Sequence, residues 1–190
     1  MHSLRRTLAS LGATLALAAL AAPAGAAGFA TVDHASSRIG FGYTQMGVGM
    51  DGSFGKFTAA LAFDPARPEQ GRAALELKLA SIDAGSAEAN DEVRGKDWFN
   101  TAAFPLARFE SSRIKSLGEG RLQLDGKLTI KGKTHAISAP VTYKVDGRRA
   151  SFDGAFTIKR SDYAIGEGQW ADVGIVADEI RIDFHIVAGQ

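Results

Sequence analysis

No cysteine occurs among the 190 residues, which excludes disulfides, thiolate metal sites and a lipidated N-terminal cysteine. Charge of one sign is not in excess either, since 22 Lys and Arg face 21 Asp and Glu. A chain so near neutrality offers no broad electrostatic field for nucleic acid or an anionic lipid surface. No apolar run is long enough to span a bilayer. The stretch from Leu8 to Leu20, LASLGATLALAAL, is about 13 residues against the roughly 20 that a membrane helix needs.

That stretch follows Arg5 and Arg6 and precedes the small residues AAPAGAAG, from Ala21 to Gly28. A basic start, a short apolar middle and small residues at the end are the order of a secretory signal peptide. Leu4 precedes the Arg pair and nothing later binds a prefolded cofactor, so the general route is expected rather than the twin-arginine one. Cleavage after Ala26 or Ala27 is expected, with residues 1–27 as signal, 28–190 as one domain, and a periplasmic location. Loss of Arg5 and Arg6 takes the net charge from +1 to −1. Without disulfides, the remaining domain must be held by burial and sheet hydrogen bonds, which about 164 residues allow.

Catalytic patterns are also missing. His2 leaves with the signal, and His34, His135 and His185 lack the close spacing of zinc ligands. His135 and His185 fall at turn or outward positions and read as solvated surface. There is no GxSxG elbow, and the glycines of FGYTQMGVGMDGSFGKF are followed by neither GK[ST] nor a helix. They suit bends in a curved sheet. Asp91, Glu92 and Asp97 cluster, but in a segment that reads as a solvated helix face. No nucleophile–base pair is visible, so the chain does not read as an enzyme, and no resident cofactor is expected.

What is present is alternation at period two, which puts every second side chain on one face of a strand. Leu122, Leu124, Gly126, Leu128 and Ile130 alternate with polar residues. Their parity runs through Asp125-Gly126, so that pair is mid-strand and the turn comes at Lys131-Gly132-Lys133. Ile137 to Val145 follows, then a hairpin at Asp146-Gly147, then Phe152 to Ile158. Earlier runs carry Ile39–Tyr43, Phe57–Phe63, Leu75–Leu79 and the strand around Phe109. The last holds Ile180, Ile182, Phe184 and Ile186. Pro140 cannot donate a ladder hydrogen bond, so its strand has a bulge or an edge there. Residues 84 to 104, with GSAEANDEVRGKDWFNTAAF, break the pattern and read as a helical excursion over one end. About eight sequential antiparallel strands with one short helix must curl to bury their apolar face. The fold class is therefore all-β, a single barrel. A barrel of that size is either filled by side chains or holds one ligand, and periodicity does not choose between them.

The strands resemble the YceI-like family of exported lipid-binding proteins over nearly all of residues 29 to 188. The resemblance is carried by VDHASSRIGFGYTQMG and GSFGKFTAALAFDP, then ASIDAGSAEANDEVRGKDWFNTAAFPLARFES. LTIKGKTHAISAPVTYK and IKRSDYAIGEGQWADVGIVADEIRIDFHI complete it. No single piece is a strong motif; their order along the chain makes the likeness specific. It implies a lipocalin-like barrel with an elongated apolar pocket for a polyisoprenoid, quinone-like or fatty lipid, and no catalytic residue. The similarity is greatest to short members, some of which resemble domains joined to b-type membrane cytochromes. The compact first hairpin, QMGVGMDGSFGKF, departs from longer members where the mouth is expected. Carried over as inward positions, the expected lining is Phe41, Tyr43, Phe57, Leu61, Leu77, Leu128, Tyr143, Phe156, Ile158 and Phe184. Trp98, Phe99 and Trp170 are expected to cover one end. The other reading is a solid-core interaction module that meets a membrane redox or envelope-stress partner. The oligomeric state stays open, a dimer included.

Overall fold

The computed structural model describes residues 28–190; the expected signal segment lies outside them. The strands are β1 (Thr31–Val32), β2 (Arg38–Gln45), β3 (Val48–Phe54), β4 (Phe57–Ala62), β5 (Arg72–Lys78) and β6 (Ile82–Asp83). After helix α1 (Ala87–Arg94) come β7 (Leu106–Gly118), β8 (Arg121–Ile130), β9 (Lys133–Asp146), β10 (Arg149–Lys159) and β11 (Glu179–Gly189). They form one antiparallel sheet in the order β4-β5-β7-β8-β9-β10-β11-β2-β3-β6, with β1 on β11.

Apart from the two-residue β1, the ten strands of the sheet amount to eight staves. Only Gly55 and Lys56 separate β3 from β4, and a short turn at Leu79–Ser81 separates β5 from β6. Each pair is one strand bent in the middle. Since β4 pairs with β5 while β3 pairs with both β2 and β6, the bend carries the sheet round on itself. The result is a lipocalin-like barrel. The alternation that predicts it holds in detail, for Leu122, Leu128 and Ile130 of β8 are buried while Arg121 and Lys127 are exposed. Asp125-Gly126 lies within β8, and the turn after it uses Lys131 at φ 49° and Gly132 at φ 74°. Two left-handed residues match the twist of a two-residue hairpin.

Pro140 marks an edge. It pairs with Gln123 of β8, but β9 meets β10 only from Val141 onward. Above Pro140 the two strands part, and Tyr163 fills the gap, with the His135 ring edge-on at 4.9 Å. His135 also bonds the Asp162 carbonyl at 3.0 Å. His185 corrects the expectation of solvated surface. It faces outward, yet it is largely covered and bonds its cross-strand neighbour Asp153 at 2.6 Å.

One end of the barrel is closed by a second core of Phe29, Phe63, Ile114, Leu122 and Phe152. Phe29 and Phe63 exchange backbone hydrogen bonds of 2.8 and 3.1 Å, tying the N-terminal segment to the free edge of β4. The other end is roofed by α1, residues 96–104 and the loop between β10 and β11. Ser86 caps α1 by accepting from Ala89 N at 3.1 Å, as a serine before an Ala-Glu-Ala run should. Within the loop, Arg160 is 2 % exposed. Its guanidinium donates to the carbonyls of Ile165, Gly166, Trp170, Val176 and Ala177 at 2.8–3.3 Å.

Tyr163 gives the roof a pH dependence. Burial, aided by the Asp162 charge, pushes its phenol from 10.0 up to about 12. The folded state favours the protonated form, so this stabilisation is complete below pH 10 and is lost as pH rises through about 12. The loss should reach about 2–3 kcal/mol. Denaturant unfolding at pH 9 to 12 should show it, and Tyr163→Phe should flatten the fall. Identical pH curves for the two proteins would refute the assignment.

Candidate ligand cavity

Between floor and roof the barrel is hollow. A cavity of about 530 Å³ runs along the interior. Several inward side chains, among them Tyr43, Leu75, Phe109, Ile137 and Phe156, are only half-buried. A filled barrel would cover them; here they face a void.

Three phenylalanines explain how a sheet so rich in aromatics leaves that space. Phe41 lies opposite Gly52 and Phe184 opposite Gly154. Phe109 reaches over Gly126, and none of the three glycines has room for a Cβ beneath its ring. A ring laid over a glycine rests against the wall instead of standing in the lumen. Alanines at 59, 73 and 139 widen the lining further.

The expected lining residues fall into three groups. Phe41, Leu77, Leu128, Phe156 and Ile158 line the cavity, and Leu61 and Phe184 line it beside the closing core. Tyr43, Trp98, Phe99 and Trp170 line it under the roof. Phe57 and Tyr143 do not line it. Phe57 has inward parity but starts β4 at the bend, where its ring packs 5.0 Å from His34. Tyr143 also has the right parity and the wrong depth, since it packs edge-on against Phe63 and stacks on Phe152 in the closing core. Sequence reading missed Val93, Val176 and Ile182, which also line the space. Ala89 and Val93 stand four apart on α1, a spacing that marks one helix face, and Ile182 belongs to the alternation of β11. Val176 sits in irregular chain and carried no signal.

Polar groups are few and sit near the roof. The Tyr43 hydroxyl donates to the Ala84 carbonyl at 3.2 Å, and burial raises its pKa, which keeps the phenol neutral. Gln45 of β2 and the exposed Glu88 and Glu92 of α1 line the cavity where it meets solvent. Trp170 Nε1 donates to Glu92 Oε1 at 2.7 Å, joining the loop to the helix across this mouth. Among the described residues no cluster of His, Asp and Glu is arranged to hold a metal. The site offers apolar area and shape, with almost nothing to bind a polar solute.

Comparison with known proteins agrees with this architecture. A family model described as the YceI-like domain matches residues 31–188. A UPF0312 protein of Azotobacter vinelandii is 30% identical over 188 residues, 94% of this chain and 95% of the relative. The crystal structure of Burkholderia cenocepacia BcnA superposes with a TM-score of 0.81 at 45% identity, covering 83% of this chain and 99% of that one. A polyisoprenoid binding domain from Saccharophagus degradans superposes with a TM-score of 0.66 at 17% identity, over 85% and 97% of the two chains. At that identity the likeness is one of fold.

Proposed function

This chain belongs to the YceI-like family, and from that premise we propose that it holds a long-chain apolar ligand in its barrel, as a carrier or store. The ligand class is a polyisoprenoid, a quinone-like lipid or a fatty lipid. The observation that carries the reading is the hollow, apolar interior. Each methylene buried there contributes about 0.8 kcal/mol, so roughly ten of them offset several kcal/mol of lost ligand freedom. The neighbour that is a polyisoprenoid binding domain supports the same ligand class. The apolar lining, with few polar groups near the roof, supports a reading of binding rather than catalysis. The N-terminal signal pattern supports export to the periplasm, where a soluble container would serve lipids that water does not dissolve.

An organic extract of the purified protein, read by mass spectrometry, tests this directly. It should contain a long-chain lipid near one per chain, and native mass spectrometry should show the matching added mass. A bare-chain mass and an empty extract, from protein purified out of the periplasm, would overturn the reading in favour of a module that works through its surface.

A further inference from the structure

Six large apolar side chains stand exposed among the described residues, and four of them gather at the mouth. Met46 is 77% exposed, Val48 60%, Val173 57% and Met50 37%. Met46 is in the turn between β2 and β3, and its amide donates to the Ile175 carbonyl at 2.8 Å. That bond holds the hairpin tip against the loop that carries Val173.

Register ties the patch to the cavity. Val48 is the direct partner of Gln45, and Met50 of Tyr43. Directly opposed residues share a sheet face about 5 Å apart, and Tyr43 and Gln45 line the cavity. Val176, which also lines it, bridges Gln45 from the neighbouring loop. The lining therefore continues past the rim onto an exposed lip, one register step from inside to outside. Scattered apolar residues need no explanation, but a cluster continuous with a site does. The surrounding charge narrows the occupant. Asp51, Glu88 and Asp172 stand around the lip and take part in no ion pair among the described residues. Carboxylates there would be repelled by an anionic surface.

Resting on the proposed lipid-binding function, we propose that the β2–β3 tip and Val173 dock the mouth onto a zwitterionic lipid surface, so that ligand passes between cavity and bilayer without crossing water. Short apolar side chains entering the headgroup boundary would provide a weak, reversible contact. A ligand moving out along Tyr43 and Met50 would stay on apolar surface throughout.

The test loads the protein with cis-parinaric acid, a fluorescent long-chain fatty acid, and follows its transfer to phosphatidylcholine vesicles. For the wild type the transfer rate should rise with vesicle concentration, and fall severalfold when phosphatidylglycerol is included at low salt. Val48→Ser with Met46→Ser should cut the concentration dependence about tenfold while equilibrium binding of the probe is unchanged. Val173→Ser, in a separate loop, should act in the same direction. A rate independent of vesicle concentration would mean release through water and would overturn the proposal while leaving the cavity intact. Failure to bind the probe at all would remove the cavity reading together with it. A concentration-dependent dimer abolished by the same substitutions would assign the lip to a second copy of the chain and also overturn docking to lipid.

Discussion

Arg160→Met should lower stability by about 3–5 kcal/mol, seen as a fall in denaturant midpoint at unchanged slope. The side chain is buried and all its donors are spent on carbonyls of the loop between β10 and β11. A buried carbonyl left without a donor costs about 1–3 kcal/mol, and methionine supplies none. The loop is built around the guanidinium. Gly166 has φ 76° and no space for a Cβ beside Arg160, and Trp98 presents its ring face 5.8 Å from the charge. That loop also carries Ile165, Trp170 and Val176 of the lining, so the substitution should weaken ligand retention as well. Arg160→Lys should recover part of the loss, because an ammonium has three donors where five are used. Should Arg160→Met stay within about 1 kcal/mol of the wild type, the guanidinium is not the staple of the roof.

Nothing in IKRSDY distinguishes this arginine from the surface cations around it. Its role depends on carbonyls 5 to 17 residues further along the chain, which no local pattern encodes. Alternation, by contrast, is local. The run from Leu122 to Ile130 sets which face of β8 is buried, and Pro140 marks the point where β9 leaves β10. Both are legible because each follows from one residue's geometry. Depth along the barrel is not legible in this way. Tyr143 and Phe156 have the same parity, yet one lies in the closing core and the other faces the cavity. The hollow interior was equally hidden, for it depends on glycines that meet phenylalanines across strands. Gly154 and Phe184 are 30 residues apart in sequence and directly opposed in the sheet. The glycines before Lys56 suit a bend, but that β3 and β4 are one stave carrying the sheet round on itself depends on pairing with β2, β5 and β6 far along the chain.

Ala59→Trp should empty the barrel of its ligand while leaving the fold standing. Ala59 is on β4, opposite Leu75, and both line the cavity. Its small side chain is part of the reason the void exists, and the residue remains half-buried. An indole there has space to enter. In a filled core such an insertion costs about 1–3 kcal/mol through overpacking, whereas in a hollow one the ligand-free protein should change by less than about 1 kcal/mol. The ligand then has to share 530 Å³ with the new ring, and occupancy should fall about tenfold or more, the equivalent of at least roughly 1.4 kcal/mol. Thr58→Trp places the same ring one residue away on the exposed outer face, and should leave occupancy unchanged. Stability would be measured on delipidated protein by denaturant unfolding, and occupancy by native mass spectrometry on protein as purified. Severe destabilisation by Ala59→Trp, together with a wild type that carries no lipid, would mean a packed interior. Equal lipid content in both Trp variants would place the ligand elsewhere on the molecule. Loss confined to Ala59→Trp would put the lipid inside the barrel, against the wall that alanine and the glycine-backed rings keep open.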